Sequence, residues 1–170
     1  KAIEKALTLT KNKGGKVFAA PSMSIINNNA KWSKILISNS DVVSLNKEEA
    51  RAFTGKQDIL KVIHEFLDMG VELISITDGS NGSHLANAEQ IINSNVYGGN
   101  VEDTTGAGDA FLSGILLSYL KDYPLERTAK LASAMSYMEC REVGVREGLP
   151  ASFKEVEEFT EKNDLKQLSS

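Results

Sequence analysis

Apolar residues recur along this chain with two alternating periods, one typical of strands and one typical of helices. Short apolar runs predict five strands, at 16–20, 42–45, 71–77, 83–86 and 90–93. Apolar residues three and four positions apart predict helices between them, the first ending at Gly14 and the others at 47–53, 58–69, 107–120, 125–139 and 153–161. Strands therefore alternate with helices over most of the sequence.

This alternation favours an α/β fold with a three-layer, Rossmann-like and mostly parallel sheet that has helices on both faces. The strands at 83–86 and 90–93 are separated by only a few residues, which predicts a late antiparallel hairpin at one edge. The chain opens inside a helical pattern, with apolar residues at 2, 3, 6 and 7. Because a domain rarely begins in the middle of an element, we expect this chain to be the later part of a longer protein.

Composition and charge narrow the classes of partner. The 170 residues are 41% hydrophobic and 25% charged, which is typical of a soluble globular domain. A net charge of −4 predicts no nucleic-acid partner, and no apolar run approaches the ~20 residues that span a bilayer, so no membrane partner is expected. Cys140 is the only cysteine, which excludes an internal disulfide. With no visible signal peptide, it predicts a cytoplasmic protein.

Three loops after predicted strands carry candidate chemistry, because parallel α/β sheets bind ligands at the carboxyl ends of their strands. These loops hold Asn46 with Glu49, the glycine-containing segment 77–82, and the segment 103–109. Asn46 and Glu49 also fit the N-cap and the third residue of the following helix. The segment 77–82 also fits a plain turn. On the residues alone, both interpretations stay open for each loop.

The segment 103–109 starts a helix with small residues, Gly106, Ala107 and Gly108. Glycines allow close approach of the backbone, and the first amides of a helix have no partner within it. These amides and the helix dipole favour a bound anion such as a phosphoryl group. Asp109 beside them is a candidate base for an attacking hydroxyl. The alternative is that Asp109 only caps the helix.

The nine residues DTTGAGDAF, from 103 to 111, resemble the signature of the ribokinase-like family of carbohydrate kinases, the phosphofructokinase-B type. Three further stretches agree with that family in order and spacing: SLNKEEARAFTG, ISITDGSNGSHLA and GVREGLP. The resemblance covers residues 17–150 and implies a ribokinase-like fold. Residues 1–170 would then be the C-terminal, nucleotide-binding part of that fold, and its N-terminal half with the lid is absent from this chain.

The resemblance implies an ATP-dependent phosphotransferase with an alcohol group as acceptor. Asp109 would be the catalytic base. The backbone amides of Gly106, Ala107 and Gly108 would hold the transferring phosphoryl group. The nucleotide would contact four further residues: Thr77, Gly79, Gly82 and Ala132.

The resemblance also implies two kinds of metal ion. Mg²⁺ would be organised by Asn46 and Glu49, mostly through water, because magnesium dehydrates reluctantly. A monovalent cation, K⁺ above all, would be held by Asp103 and Thr105, with backbone oxygens near Gly144 completing its shell.

The acceptor stays open between two classes. The stretch AAPSMSII stands where the family usually has an Asp-Pro-Asn type of segment. AAPSMSII is instead similar to the corresponding stretch of the family's nucleoside kinases. VREGLP fits sugar and sugar-acid kinases better. We therefore expect a kinase of a sugar or sugar acid, with an adenosine-like nucleoside kinase and a non-catalytic nucleotide-binding fragment as alternatives. A homodimer through the absent lid is an option that the resemblance leaves open.

Overall fold

A computed structural model describes residues 2–144 and 146–166. The helices are α1 (Ala2–Asn12), α2 (Met23–Asn28), α3 (Ala30–Ile37), α4 (Lys47–Thr54), α5 (Ile59–Asp68), α6 (Ala107–Leu120), α7 (Leu125–Glu139) and α8 (Phe153–Lys162). The strands are β1 (Phe18–Ala19), β2 (Val42–Asn46), β3 (Leu73–Thr77), β4 (Ser83–Ala86) and β5 (Ile91–Ser94). A short 3-10 turn, Gly79–Asn81, lies between β3 and β4.

The strands form one five-stranded sheet in the order β1-β2-β3-β4-β5. β1 is parallel to β2 and β2 is parallel to β3, with Val42 opposite Leu73 and Asn46 opposite Thr77. The connection from β4 to β5 is a tight turn in which the Asn87 amide donates to the Gln90 carbonyl at 3.1 Å. A turn this short can only join antiparallel neighbours. The predicted α/β fold with a mostly parallel sheet and a late hairpin is thus confirmed.

The chain divides into two compact units, Lys1–Thr77 with Leu85–Ile91, and Asp78–His84 with Ile92–Ser170. In the first unit, alternate residues of β2 and β3 join one apolar core with residues of α2 to α5: Ile26, Ile37, Val43, Leu45, Ala50, Val62, Ile63, Phe66, Ile74 and Ile76. The intervening Ser44 and Ser75 are also buried, and the Ser75 hydroxyl donates to Ser44 at 2.8 Å. Both faces of these strands are therefore buried, as in most parallel sheets.

In the second unit, α6 and α7 pack at very short range. A Cβ on Gly114 would lie 2.6 Å from the Ala132 Cα, so only glycine fits at this crossing. A second apolar core includes residues of α7 and α8 together with Tyr97: Leu131, Ala134, Met135, Met138 and Val156. The Tyr123 hydroxyl donates to Glu157 at 2.6 Å and connects the start of α7 to α8. The close crossing at Gly114 fixes the position of α6 on α7, and the first turn of α6 carries the candidate chemistry.

The structure differs from the sequence prediction in the region before β2. Helices α2 and α3 are not predicted, because both are short and the three asparagines at 27–29 interrupt the apolar pattern between them. α2 buries Ile26, and α3 buries Ile37 and Ser33, so tertiary packing stabilises both short helices. β1 has two residues where 16–20 are predicted. The Val17 amide donates to the Asp41 carboxylate at 2.7 Å, and so takes no part in strand pairing.

Candidate active site

In the first unit, two predicted site residues lie side by side at the carboxyl end of the sheet. Asn46 is the last residue of β2, Thr77 is the last of β3, and the two are register partners. This is the edge at which parallel strands present ligand-binding loops. The structure thus places both residues at the ends of neighbouring strands, and their roles at a site stay predictions.

Asn46 and Glu49 form a complete capping box at the start of α4. The Asn46 Oδ1 accepts from the Glu49 amide at 2.8 Å, and the Glu49 Oε2 accepts from the Asn46 amide at 3.0 Å. The other Glu49 oxygen, Oε1, accepts from the Met23 amide at 3.1 Å. The interpretation of this pair as a helix cap is thus confirmed. Both carboxylate oxygens of Glu49 accept hydrogen bonds from backbone amides. A role in organising Mg²⁺ stays a prediction.

In the second unit, the loop 78–82 is a closed turn in which the Asp78 amide donates to the Gly82 carbonyl at 2.8 Å. Gly82 has φ +91°, and a Cβ there would overlap the Ser94 carbonyl oxygen, so packing alone requires glycine. Gly79 also has positive φ, but nothing lies within 4 Å of where its Cβ would be. Only Gly79 is therefore open to a ligand that approaches the backbone.

The segment before α6 is shaped by the carboxylate of Asp103. Its Oδ1 accepts from the Thr105 amide at 2.9 Å and from the Thr105 hydroxyl at 2.7 Å, while its Oδ2 accepts from the Gly144 amide at 3.2 Å. These hydrogen bonds, led by that of the Thr105 hydroxyl, lower the pKa of Asp103 below its ordinary value. Asp103, Thr105 and Gly144 are thus brought together, as a shared cation site requires.

Helix α6 begins without a side-chain cap. Its N-cap is Gly106, in the left-handed region with φ 85° and ψ −10°. The Ala107 amide donates to the Thr104 carbonyl at 3.2 Å, so this predicted phosphoryl donor is occupied. Within the described residues, the amides of Gly108 and Asp109 donate to no protein group. The Gly106 amide also donates to no described group, so the donors left for an anion are those of Gly106, Gly108 and Asp109, and the prediction changes at Ala107.

The side chain of Asp109 is exposed at this helix start. Its backbone carbonyl accepts from the Ser113 hydroxyl at 2.9 Å, but its carboxylate has no hydrogen bond or ion pair in the described part of the chain. A capping acid at this position would bond to the amide of the N-cap residue. Asp109 makes no such bond, so the interpretation of Asp109 as a helix cap is not supported.

Ala132, predicted to lie near the adenine, is completely buried and is covered by Gly114 of the neighbouring helix. It therefore presents no surface to a nucleotide in this structure. Its burial follows from the helical period of α7, whose apolar face it shares with Leu131 and Met135. The physical reason for a small residue here is the close approach of the two helices.

Sequence reasoning did not identify Glu139, the last residue of α7. Its side chain is 1% exposed, and neither carboxylate oxygen has a hydrogen-bond partner. Burial above all, and then the charges of Glu147 and Asp103, raise its pKa. Helical spacing could have found it, because residues four and seven positions earlier are the buried Met135 and Ala132.

Two features of residues 2–144 and 146–166 bear on metal ions and membranes. No group of three or more His, Cys, Asp or Glu side chains is placed to hold a metal ion. Any cation here would therefore rest on backbone oxygens with one or two carboxylates. In the same residues, no helix combines the length and the hydrophobicity needed to cross a membrane.

Comparisons with known proteins agree with the fold. The chain is 34% identical over 137 residues to the ATP-dependent 6-phosphofructokinase of Thermoanaerobacterium thermosaccharolyticum, covering 81% of this chain and 41% of that protein. It is 30% identical over 124 residues to a nucleoside kinase of Methanocaldococcus jannaschii, covering 72% and 40%. An E. coli protein described as a ribokinase II, in complex with ATP and Mg²⁺, has a TM-score of 0.87 at 22% identity, covering 96% and 54%.

The chain spans about half the length of the curated relatives it matches. The structural similarity at 22% identity shows the shared fold. The family model for pfkB carbohydrate kinases matches residues 1–152, which is most of the chain. The matched region includes the capped start of α4 and the uncapped start of α6. The chain therefore belongs to the pfkB family of carbohydrate kinases.

Proposed function

We propose that this chain is the C-terminal, nucleotide-binding part of a kinase that transfers the γ-phosphoryl group of ATP to a hydroxyl of a sugar or sugar acid. The observation that carries the proposal is the start of α6. There, unbonded amides lie beside a carboxylate that is exposed and has no bond of its own. Membership of the pfkB family supports the same chemistry.

The unbonded amides of Gly108 and Asp109 would hold the phosphoryl group as it moves. They lie at the positive end of the α6 dipole, which favours the negative charge of the phosphoryl oxygens. Phosphoryl transfer needs mainly positioning and electrostatic stabilisation, and preorganised amides supply both. The left-handed Gly106 contributes by directing the chain so that no side chain caps these amides.

Asp109 would accept the proton of the acceptor hydroxyl. The hydroxyl oxygen forms a bond to the γ-phosphorus, its proton passes to the Asp109 carboxylate, and the bond from the γ-phosphorus to the bridging oxygen breaks. The products are a phosphate ester and ADP. A carboxylate is suited to act as this base when an oxygen lone pair is free to accept from the hydroxyl. Among the described residues, Asp109 meets that condition.

Other residues would serve ATP and its ions. The open backbone at Gly79 is suited to approach by the nucleotide phosphates, and the turn that Gly82 closes would support it. Asn46 and Glu49 would hold Mg²⁺ through water, using lone pairs that the capping box leaves free. Bound Mg²⁺ neutralises charge on the phosphates. Asp103 and Thr105 would hold K⁺.

A nucleoside acceptor is the second candidate. The nucleoside kinase of Methanocaldococcus jannaschii is 30% identical to this chain over a region that covers 72% of this chain. The stretch from Ala19 to Ile26 is also similar to the family's nucleoside kinases, in which a small residue precedes the proline. In either case, the lid and most acceptor contacts would come from a part of the protein that this chain does not contain.

A substrate panel tests the proposal. The natural protein that contains this chain is incubated with Mg²⁺-ATP and, in turn, ribose, fructose, fructose 6-phosphate, inosine and cytidine, and phosphorylated product is measured by mass spectrometry. We expect transfer to a sugar. Transfer to a nucleoside alone would select the second candidate. Calorimetric binding of ATP without transfer to any acceptor would instead indicate a non-catalytic nucleotide-binding protein.

A further inference from the structure

Asn81 lies in the closed turn 78–82 and is the only asparagine of the sequence that precedes a glycine. It is exposed, and its side chain has no hydrogen bond with any described residue. Asn87, in the turn between β4 and β5, offers a contrast. Its Oδ1 accepts from the Glu89 and Gln90 amides at 3.0 Å each, and an alanine follows it. Asn81 thus combines an unengaged side-chain amide with a following glycine.

This combination favours a spontaneous reaction between Asn81 and the backbone of Gly82. Asparagine is thermolabile, and glycine has no Cβ to hinder the approach of its backbone nitrogen. The Gly82 nitrogen loses its proton to water and forms a bond to the Asn81 Cγ. The bond from Cγ to Nδ2 breaks, and Nδ2 takes a proton from water and leaves as ammonia. The product is a five-membered succinimide.

Water then opens the succinimide ring in one of two ways. Cleavage of the bond between the ring nitrogen and Cγ leaves aspartate at position 81. Cleavage of the bond between the ring nitrogen and the main-chain carbonyl carbon leaves isoaspartate, in which the main chain runs through the former side chain. Either way, the net change is the uptake of one water and the loss of one ammonia, and a neutral side chain becomes a carboxylate.

The attacking nitrogen is held by one hydrogen bond at the end of a short turn. The Gly82 amide donates to the Gly79 carbonyl at 3.2 Å, where a 3-10 turn of three residues ends. Hydrogen bonds of such turns have poor geometry, and exposed loops open locally at a small cost in free energy. Opening of this bond frees the nitrogen to approach the Asn81 side chain. The fold therefore slows the reaction without removing the nucleophile.

Packing keeps the reactive pair in the sequence and makes the turn sensitive to the product. Gly82 has φ +91°, and a Cβ there would overlap the Ser94 carbonyl oxygen, so this glycine cannot be replaced without strain. The turn is closed by the Asp78 amide, which donates to the Gly82 carbonyl at 2.8 Å. Isoaspartate at position 81 lengthens the main chain inside this closed turn, and the turn then has to rearrange.

We propose that Asn81 is a site of spontaneous deamidation, and that loss of its amide lowers the affinity of the turn 78–82 for nucleotide. The first part stands on the turn alone, and the second rests on the proposed function. Both products place a carboxylate in the same turn as Gly79, whose open backbone is suited to the nucleotide phosphates. Like charges a few ångströms apart repel even in water, so the Kd for ATP should rise roughly threefold to tenfold.

Peptide mapping tests the first part and needs no kinase activity. The natural protein that contains this chain is incubated at neutral pH, sampled over days and digested with a protease that cleaves after glutamate, which releases residues 73–89. We expect the mass of this peptide to rise by the difference between an amide and an acid. Electron-transfer fragmentation should locate the change at Asn81, separate isoaspartate from aspartate, and show Asn87 unchanged in the same peptide.

The same experiment on protein unfolded in urea shows whether the fold protects Asn81. An unmodified Asn81 in the folded protein, whether or not urea releases the reaction, would overturn the proposal. Asn81→Gln is the matched variant, because glutamine would have to form a six-membered imide, which forms far more slowly. Its peptide 73–89 should stay unmodified, and its ATP affinity should not change during the incubation.

Calorimetric titration with ATP tests the second part. Asn81→Asp reproduces the charge of the product without the altered main chain, and its Kd should be raised roughly threefold to tenfold. Incubated unsubstituted protein should move towards that value. Asn87→Asp adds the same charge at the other end of β4, where an Asp oxygen can still accept from the two amides, and it should leave the Kd unchanged.

The outcomes separate this inference from the proposed function. An unchanged Kd in Asn81→Asp would overturn the effect on nucleotide affinity and leave the kinase proposal intact. Deamidation at Asn81 in a protein that binds no ATP even when fresh would remove the kinase and the effect on nucleotide affinity, and would leave the modification site standing.

Discussion

Helices α4 and α6 both start with an acidic residue at their third position, Glu49 and Asp109, and they use it in opposite ways. At α4 the carboxylate accepts from two backbone amides, and the N-cap Asn46 satisfies a third. At α6 the N-cap is Gly106, no side chain caps the helix, and the carboxylate has no partner among the described residues. The same sequence position thus has a structural role in one helix and is free in the other.

The difference shows how a helix start becomes a candidate binding site. A complete capping box satisfies the orphan amides and contributes about 1 kcal/mol to stability. A glycine N-cap forgoes that contribution and leaves donors for a ligand. Uncapped amides beside a free acid therefore point to function at α6, whereas Glu49 needs no functional role to explain its presence. Each of the following substitutions breaks or sharpens this contrast.

The largest expected effect is that of Asp109→Asn on phosphoryl transfer. Asparagine keeps the shape but cannot take a proton, so the transfer rate should fall about 10²–10⁴-fold. Unfolding free energy should change by less than about 1 kcal/mol, because the carboxylate makes no hydrogen bond and loses only its interaction with the helix dipole. Initial rates and urea unfolding measure the two effects. A variant with a transfer rate within about threefold of the unsubstituted protein, well short of that range, would remove Asp109 as the base.

The next effect concerns the glycines of α6, with Gly106→Ala and Gly108→Ala as a matched pair. Alanine at Gly106, where φ is 85°, should cost roughly 1–2 kcal/mol of stability and disturb the amides. Gly108 is helical with nothing within 4 Å of an added Cβ, so alanine there should stabilise the helix by about 0.5–1 kcal/mol. ATP affinity, measured by calorimetry, should fall in both. Unchanged affinity in the more stable Gly108→Ala would show that no phosphate approaches this backbone.

The contrast also shows what the sequence could predict. The start of α6 could be predicted because its glycines follow directly on two polar residues and precede an apolar helical pattern. The bounds of α6 and α7 are those that the sequence predicts. The pairing of Asn46 with Glu49 could be predicted as a capping pattern, although the sequence alone did not distinguish a helix cap from a metal ligand. Both cases rest on local spacing, which a sequence records directly.

What the sequence could not predict depends on contacts between distant residues. The occupied amide of Ala107 depends on how the chain turns at Thr104. The burial of Ala132 depends on the approach of Gly114 from another helix. Helical spacing places Glu139 on the buried face of α7, but the lack of any hydrogen-bond partner for its carboxylate depends on which distant residues surround it, and local spacing does not record that.

A smaller effect is expected from Glu49→Gln. Glutamine can complete a capping box, but it has one acceptor oxygen where Glu49 uses two. One of the bonds to the amides of Asn46 and Met23 is therefore lost, which should cost about 0.5–1.5 kcal/mol in urea unfolding. Transfer at saturating Mg²⁺ should change little. A raised Mg²⁺ requirement in this variant would give Glu49 a second role, in organising the metal ion.

The smallest effect is a pH dependence at Asp103, tested with Thr105→Val. The pKa of Asp103 is lowered in the folded chain, chiefly by the Thr105 hydroxyl, so it lies below the unfolded value of 3.8. A lowered folded pKa means that the stabilisation is fully present above the unfolded pKa and is lost as pH falls through the folded pKa.

Valine keeps the size of threonine but removes the hydroxyl donor. The protein should therefore be more stable than Thr105→Val by a constant amount near neutral pH, and this difference should shrink once the pH falls below 3.8. Urea unfolding of both proteins across this range measures it, with Ser113→Ala, which removes a hydroxyl bonded to a backbone carbonyl, as a control without such dependence. A difference that stays constant through acid would show that the Thr105 hydroxyl does not stabilise the Asp103 charge, and the loop before α6 would then owe its shape to backbone contacts alone.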